Sequence, residues 1–233
     1  MTILNGITEY LDLEQVSPEW FEARRGIITA SVVGQLITPS TVKPASNDKS
    51  RALVWELIAQ RITGFIYPTF TNDDMARGNL AEIVARDWYS AERAPVIQMG
   101  FMRIDAEWGS LGFSPDGLVG DDGFIEVKSP RHKSHLQTVV NAAMPIDYMP
   151  QIQGGLLASG RAWCDFISWP GGMAPYVQRI TPDPMWQEAI KGAVSHYEAE
   201  AARVLATYNE RTAGMPVPAL IDNYSDDTDG FTF

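Results

Sequence analysis

Cysteine occurs once, as Cys164, and histidine three times, as His132, His135 and His196. So little sulfur and imidazole excludes an internal disulfide, a thiolate-rich zinc site and an iron–sulfur cluster, and a lone thiol suits a reducing compartment. Any metal would fall to carboxylates, which favour hard ions such as Mg²⁺ or Mn²⁺. No apolar run approaches the roughly 18 residues of a membrane span, and Met1–Tyr10 lacks a basic stretch leading into an apolar one. No membrane segment and no signal peptide are expected, and the location predicted is cytoplasmic. Basic residues are also few: 18 Lys and Arg stand against 29 Asp and Glu, a net charge of −11. That balance argues against generic coating of nucleic acid but leaves room for a local basic groove on an acidic body.

What is present reads as one globular α/β domain. Apolar residues make up 45% of the 233 and charged residues 20%, ordinary usage for a packed fold, and no repeat or domain break interrupts them. The domain is expected over residues 1–214, with a loose acidic tail over 215–233. Ser17-Pro18-Glu19-Trp20 begins a helix that should stop at Gly26. Thr29-Ala30-Ser31 looks like a second cap, with Ser31 opening a helix over Val32–Ile37. Helical periodicity returns over Ala52–Ile62, Met75–Glu92, Asp147–Ser159 and Pro184–Thr212. Strands are expected over Val96–Ile104, Trp108–Phe113, Ala162–Trp169 and Tyr176–Ile180. Leu118-Val119 and Phe124–Lys128 around Asp121-Asp122-Gly123 read as a β-hairpin.

That hairpin carries the chemistry. Alternation along a strand puts Glu126 and Lys128 on one face, and folding about residues 120–123 should bring Asp116 opposite positions 127–129. Asp116 and Glu126 would then offer hard oxygen ligands, with the Val127 carbonyl as a further donor. Lys128 beside them could orient or activate a water and offset charge on a phosphate, the logic of metal-assisted phosphodiester hydrolysis. The plain alternative is a hairpin with a surface Glu and Lys.

Asp116, Glu126-Val127-Lys128 and their Ser-Pro-Asp-Gly-Leu and Glu-Val-Lys-Ser-Pro settings resemble the PD-(D/E)XK nuclease superfamily. More narrowly, they resemble the phage lambda exonuclease and YqaJ-type viral recombinase group. Three further segments match in order: Trp20–Ser31 resembles W-x-x-x-R-x-G-x-I-T-A-S, Gly78–Glu82 with Ala85-Arg86 resembles G-x-x-x-E…A-R, and Tyr148–Gln153 resembles Y-x-x-Q-x-Q. The match spans residues 20 to 153 and fades after about Trp169. The resemblance implies a restriction-endonuclease-like core, a central mixed β-sheet flanked by helices. It implies that Asp116, Glu126, Glu82 and the Val127 carbonyl hold Mg²⁺, with Mn²⁺ as a substitute, and that Lys128 is the catalytic lysine. Gln151 would sit beside the scissile phosphate, and Arg24 and Ser31 would recognise the 5′-phosphate of a DNA end. It further implies a 5′-to-3′ exonuclease on double-stranded DNA ends, leaving a 3′ tail for phage recombination. The partner implied is a single-strand annealing protein, and the assembly a ring-shaped homotrimer, in which a positive channel inside an acidic surface would reconcile the net charge with DNA.

Ser31 as the cap of a short helix beside Arg24 would also make a plain anion site, or simply a solvated cap. Arg131-His132-Lys133 and His135 could follow a phosphate backbone or form a solvated loop. Trp55, Trp88, Trp163 and Trp169 are expected in the core and His196 on a helix face. The tail from Asp222 to Phe233 carries four Asp and ends Phe231-Thr232-Phe233; it could dock on a basic partner groove or be solubilising disorder. Three other readings stay open: a related nuclease of other polarity or endonuclease habit, a non-catalytic DNA-end-binding protein on the same fold, and a metal-binding structural domain.

Overall fold

The structure, a computed structural model, describes residues 2–4, 6–67 and 73–221. The acidic-aromatic stretch Asp226–Phe233 lies outside them. The chain opens with β1 (Thr2–Leu4) and β2 (Ile7–Tyr10), then α1 (Pro18–Arg24), β3 (Ile28–Thr29) and α2 (Ala30–Val33). Ser17 caps α1 as expected, its side chain accepting from Trp20 N. A 3₁₀ turn and the small ribbon of β4 (Ile37–Thr38) and β5 (Lys43–Pro44) lead to α3 (Asp48–Thr63) and α4 (Asp73–Glu92). α3 starts earlier than its apolar pattern suggests because Asn47 and Ser50 cap it reciprocally.

Four strands follow: β6 (Val96–Ile97), β7 (Phe101–Ala106), β8 (Gly109–Phe113) and β9 (Gly117–Val119). Then come β10 (Gly123–Lys128), α5 (His132–Asn141), α6 (Met149–Ser159), β11 (Trp163–Ser168), β12 (Tyr176–Ile180) and α7 (Pro184–Arg211). Residues 215–221 have no regular structure and expose Val217 and Ile221. No helix among the described residues is long and apolar enough to cross a membrane.

Instead of one central sheet there are two, each mixed and five-stranded, ordered β1-β2-β7-β8-β3 and β12-β11-β10-β9-β6. Each has one parallel pair, β3 with β8 and β10 with β11. The division has local causes. Val96–Ile104 is not one strand: β6 pairs with β9 in one sheet and β7 with β2 and β8 in the other, so the chain changes sheets between Ile97 and Phe101. It changes again between β8 and β9, where Pro115 lacks the N–H that a continuous ladder would need.

The main core fills the space between the first sheet, one face of the second, and α2, α3, α6 and α7; a smaller core packs Ala85 and Tyr89 of α4 against Val119, Ile125, Val127 and Ile167. α6 is helical despite Gly154-Gly155 because both are contact points. A Cβ at Gly154 would come within 3.2 Å of Ala30, and one at Gly155 within 2.7 Å of the Phe113 ring. Close packing thus offsets two glycines' helix penalty of roughly 1 kcal/mol each. Trp88, Trp163 and Trp169 pack half-buried on the smaller core. Trp55 does not belong to either core: Leu53, Leu57 and Ile58 form the buried side of α3, and Trp55 is 57% exposed. His196 is exposed on α7.

Gly26 ties the N-terminal segment to two helices. It has φ +65°, which glycine adopts without strain. Its N–H donates to Gln60 Oε1 (3.0 Å), and its carbonyl accepts from Arg61 Nε (2.6 Å) and Tyr197 Oη (2.8 Å). Arg61 also forks onto Glu198, both bonds 2.7 Å. A Cβ here would lie 2.4 Å from Arg61 Cγ. Gly26→Ala is therefore expected to cost about 2–3 kcal/mol, lowering Tm by roughly 4–12 °C in a thermal melt; an unchanged Tm would mean that the clamp relaxes freely.

Candidate active site

The site lies where β9 ends beside β10. Their ladder pairs Gly123 with Val119, Phe124 with Leu118 and Ile125 with Gly117. One step further this sets Asp116 beside Glu126, one residue short of the register expected from sequence. β9 goes no further, so the Val127 N–H has no strand partner, and Asp116 Oδ2 accepts it instead (2.6 Å). The carbonyl of Lys128 accepts from Trp169 N (2.7 Å) on the β11 side. Because carbonyls alternate along a strand, that of Val127 faces the opposite edge, towards Asp116.

Glu126 and Lys128 share the face towards α6, as alternation requires. Glu126 is 1% exposed. Its Oε1 accepts from Lys128 Nζ (2.5 Å) and Gln151 Nε2 (2.6 Å), while Gln151 Oε1 accepts from Lys128 Nζ (3.0 Å). Gln151 thus holds both charged groups in a closed triangle. The other oxygen, Glu126 Oε2, is buried with no hydrogen-bond partner among the described residues. Leaving a buried carboxylate oxygen unpaired is costly, so the site has an unmet demand for a donor or a cation.

Glu82 reaches the site from α4. The helix is anchored by Tyr89, whose hydroxyl donates to the buried Asp165 (2.6 Å), itself held by Arg179 (2.8 and 2.9 Å). Glu82 lies two turns before Tyr89 on the same stripe, and its Oε1 stands 3.4 Å from Arg86 Nη2. Burial, then the Glu126 and Glu82 charges, push the Asp116 carboxyl well above the usual range. Burial also raises Glu82, opposed by Arg86 and reinforced by Glu126. Burial would lower Lys128, but the charges of Glu126 and Asp116 outweigh it and hold the ammonium above its ordinary value.

Among the described residues no group of three or more His, Cys, Asp or Glu is arranged to hold a metal by itself. What the site offers is two adjacent carboxylates, a main-chain carbonyl turned towards them, a third acid standing off on α4, and a buried orphan oxygen. These are all hard donors and fit a small divalent cation.

Next to Asp116 is a second cluster. Arg24 stacks on Trp20, 3.8 Å from the ring centroid. Its Nη1 and Nη2 each lie 3.4 Å from a hydroxyl, those of Ser114 and Ser31, and Trp20 Nε1 donates to Ser114 Oγ (2.9 Å). Burial pulls this guanidinium down to about 10, and no carboxylate among the described residues pairs with it. A partly buried cation held by two hydroxyls and an indole face suits an anion. Ser31 is not a helix cap, however. Thr29 takes that position without a capping bond, and Ser31 lies inside the four-residue α2, bonded to Thr29 Oγ1 at 3.0 Å. Ser114 was not singled out from sequence; its place two residues before Asp116 in the turn was the available signal.

The basic residues after β10 are not a loop. They start α5, and His135 is fully buried, its ring nitrogens 2.8 Å from Ser168 Oγ and 3.0 Å from the Ala174 carbonyl. It is thereby removed from any phosphate contact, while Arg131, His132 and Lys133 remain exposed. A groove of about 1080 Å³ elsewhere, lined by Arg25, Arg61, Arg103 and Trp108, contains none of Glu82, Asp116 and Glu126. Its arginines are already paired with Glu22, Glu198 and Asp105.

No curated protein matches the chain. Among solved structures, an alkaline exonuclease from Laribacter hongkongensis is 31% identical, with a TM-score of 0.74 over 86% of this chain and 100% of its own. The same exonuclease in complex with dAMP matches at 30% identity and a TM-score of 0.71, with the same coverage. A phage-related exonuclease from Haemophilus somnus shares the fold at 16% identity, with a TM-score of 0.55 over 78% of this chain and 96% of its own. The YqaJ-like viral recombinase domain matches residues 19–162, a stretch that holds Arg24, Ser31, Glu82, Asp116, Glu126, Lys128 and Gln151. The chain belongs to the YqaJ-like viral recombinase family.

Proposed function

We propose that the protein is a divalent-metal-dependent exonuclease that hydrolyses one strand of duplex DNA from its 5′ end, on a nuclease core of the PD-(D/E)XK type. The 3′ tail it leaves would serve recombination by strand annealing. The observation that carries this reading is the convergence of Asp116, Glu126 and Lys128 at one end of the β9–β10 hairpin. The 31% identical alkaline exonuclease supports it, as does that protein's complex with dAMP, a mononucleotide of the kind exonucleases release. By family resemblance the working form is a ring-shaped trimer on DNA ends, acting with a single-strand annealing protein.

Asp116, Glu126 and the Val127 carbonyl would hold the cation, with Glu82 as an additional acid. When bound there, Mg²⁺ or Mn²⁺ would supply Lewis-acid polarisation of the phosphodiester and a nucleophile at neutral pH. The charges of Glu126 and Asp116 hold the Lys128 ammonium above its ordinary value in the metal-free site. Beside the cation it would orient or activate a water and offset charge on the phosphate. Gln151 fixes the direction of that ammonium from beside the scissile phosphate. Arg24, Ser31 and Ser114 would take the terminal 5′-phosphate, Ser114 from the same turn that carries Asp116.

Crowded acids make a prediction without DNA. A carboxyl raised on folding contributes stability that is present below the ordinary carboxylate range and lost as pH rises through its folded value. In EDTA, Tm should therefore fall as pH rises from about 5 to 8. Asp116→Asn keeps an acceptor for Val127 N–H, should flatten that fall, and should melt about 2–4 °C above wild type at the alkaline end. Mg²⁺ should raise the Tm of the wild type but not of the variant. Parallel pH curves for the two proteins would show that Asp116 is not the raised group.

The activity itself is tested on linear duplex DNA labelled at either the 5′ or the 3′ end of one strand. Mg²⁺-dependent release of the 5′ label as mononucleotide, with the complementary strand intact and no release in EDTA, is expected. Internal cuts would indicate an endonuclease, and retention without cleavage a binding protein. Lys128→Ala should lower cleavage by about 10³-fold, the scale of losing a transition-state charge contact, with DNA retained on a gel; full activity would remove Lys128 from the chemistry. Arg24→Ala should slow digestion of 5′-phosphorylated ends by at least about 10-fold more than 5′-hydroxyl ends, consistent with loss of a charge-assisted bond. Equal losses on both ends would make Arg24 a general backbone contact.

A further inference from the structure

Asp116 is held from two sides. Its carboxylate is bonded to β10 through Val127 N–H, and its carbonyl accepts from Arg86 Nη1 of α4 at 2.9 Å. The other arm of the same guanidinium lies 3.4 Å from Glu82 Oε1, one turn back on that helix, and the Arg86 side chain is 13% exposed. One planar fork therefore spans two acids that arrive from different elements, a helix and the joint between two sheets. An ordinary i,i+4 ion pair on a helix surface would leave its second arm in water. Here that arm is committed to the main chain of the opposite acid.

We propose that Arg86 is a positioning residue that sets the separation of Glu82 and Asp116, and through it the affinity for the divalent cation. The inference rests on the metal reading above. A fixed fork can hold two acceptors at a set distance; a lysine in the same place carries the same charge but cannot hold both. The fork, and not the charge, is what the proposal requires. A positive charge acting alone would only repel a cation, so its removal would tighten binding.

Calorimetric titration of the metal-free protein with Mg²⁺ separates these cases. Arg86→Lys should weaken the Mg²⁺ Kd by about 10-fold, the usual effect of losing a residue that orients ligands. It should lower kcat with KM for DNA nearly unchanged, and Tm should stay near that of the wild type. An unchanged Kd in Arg86→Lys would overturn the proposal, and so would tighter binding in Arg86→Met. Should Arg86→Lys prove unstable, the cycle with Glu82→Gln decides. If Arg86 acts through Glu82, its substitution costs less in the Glu82→Gln background, and equal costs in both would count against it. Asp116→Asn in the same titration checks the underlying reading. It should abolish the Mg²⁺ heat, and wild-type binding by that variant would place the metal elsewhere, whatever Arg86→Lys does.

Discussion

The bond from Val127 N–H to the Asp116 carboxylate organises this molecule. β9 is only three residues long, and beyond it β10 would present an unpaired donor at the edge of the sheet. A side chain takes over where a strand stops. That substitution terminates the ladder, pins the joint between the two sheets, and fixes an acid beside the buried Glu126. Pro115 makes the stop obligatory, because it cannot donate to a continuing ladder. The candidate chemistry therefore sits at the seam of the fold, where backbone groups are already free of strand partners.

Around that bond the charges are arranged at a cost to stability. Glu126 is almost fully buried, and its two partners, Lys128 and Gln151, both serve one oxygen. Asp116 and Glu82 add like charges nearby. A core built for stability alone would put apolar groups here. The opposite face of the same sheet shows the contrast: Asp165 is also buried, yet Tyr89 and Arg179 satisfy both of its oxygens. One buried acid is closed off and anchors a helix, while the other is left open at one oxygen.

What the sequence reveals follows the range of the interactions concerned. Glu126, Lys128 and Asp116 were legible because strand alternation and a short hairpin are local rules, and the register error was a single residue. The cap of α1, the strands β11 and β12 and the long α7 were legible for the same reason. The two-sheet division was not, since it depends on which strands find one another after the chain changes sheets before Phe101 and again at Pro115. α5 was missed because its buried side is polar: His135 and Thr138 face inwards while Leu136, Val139 and Val140 face out, an inverted pattern. Trp55 misled in the other direction, an aromatic on the outer side of a helix whose inner side is complete without it. Ser114 and the reach of Arg86 are tertiary facts. Each residue is visible in sequence, but its partner is not.

The clamp on Gly26 gives the protein an unusual order of dependence. Tyr197 and Glu198 lie some 170 positions away from Gly26, beyond residue 162 where the family match ends. The loop that ends Arg24's helix is thus completed by α7. Contacts of such long sequence separation form late, because chain closure must come first. During synthesis the hairpin acids can assemble from nearby segments, whereas the Gly26 turn that follows Arg24 is clamped only once α7 is present. On this ordering the nascent chain acquires its acids before the turn beside Arg24 is fixed.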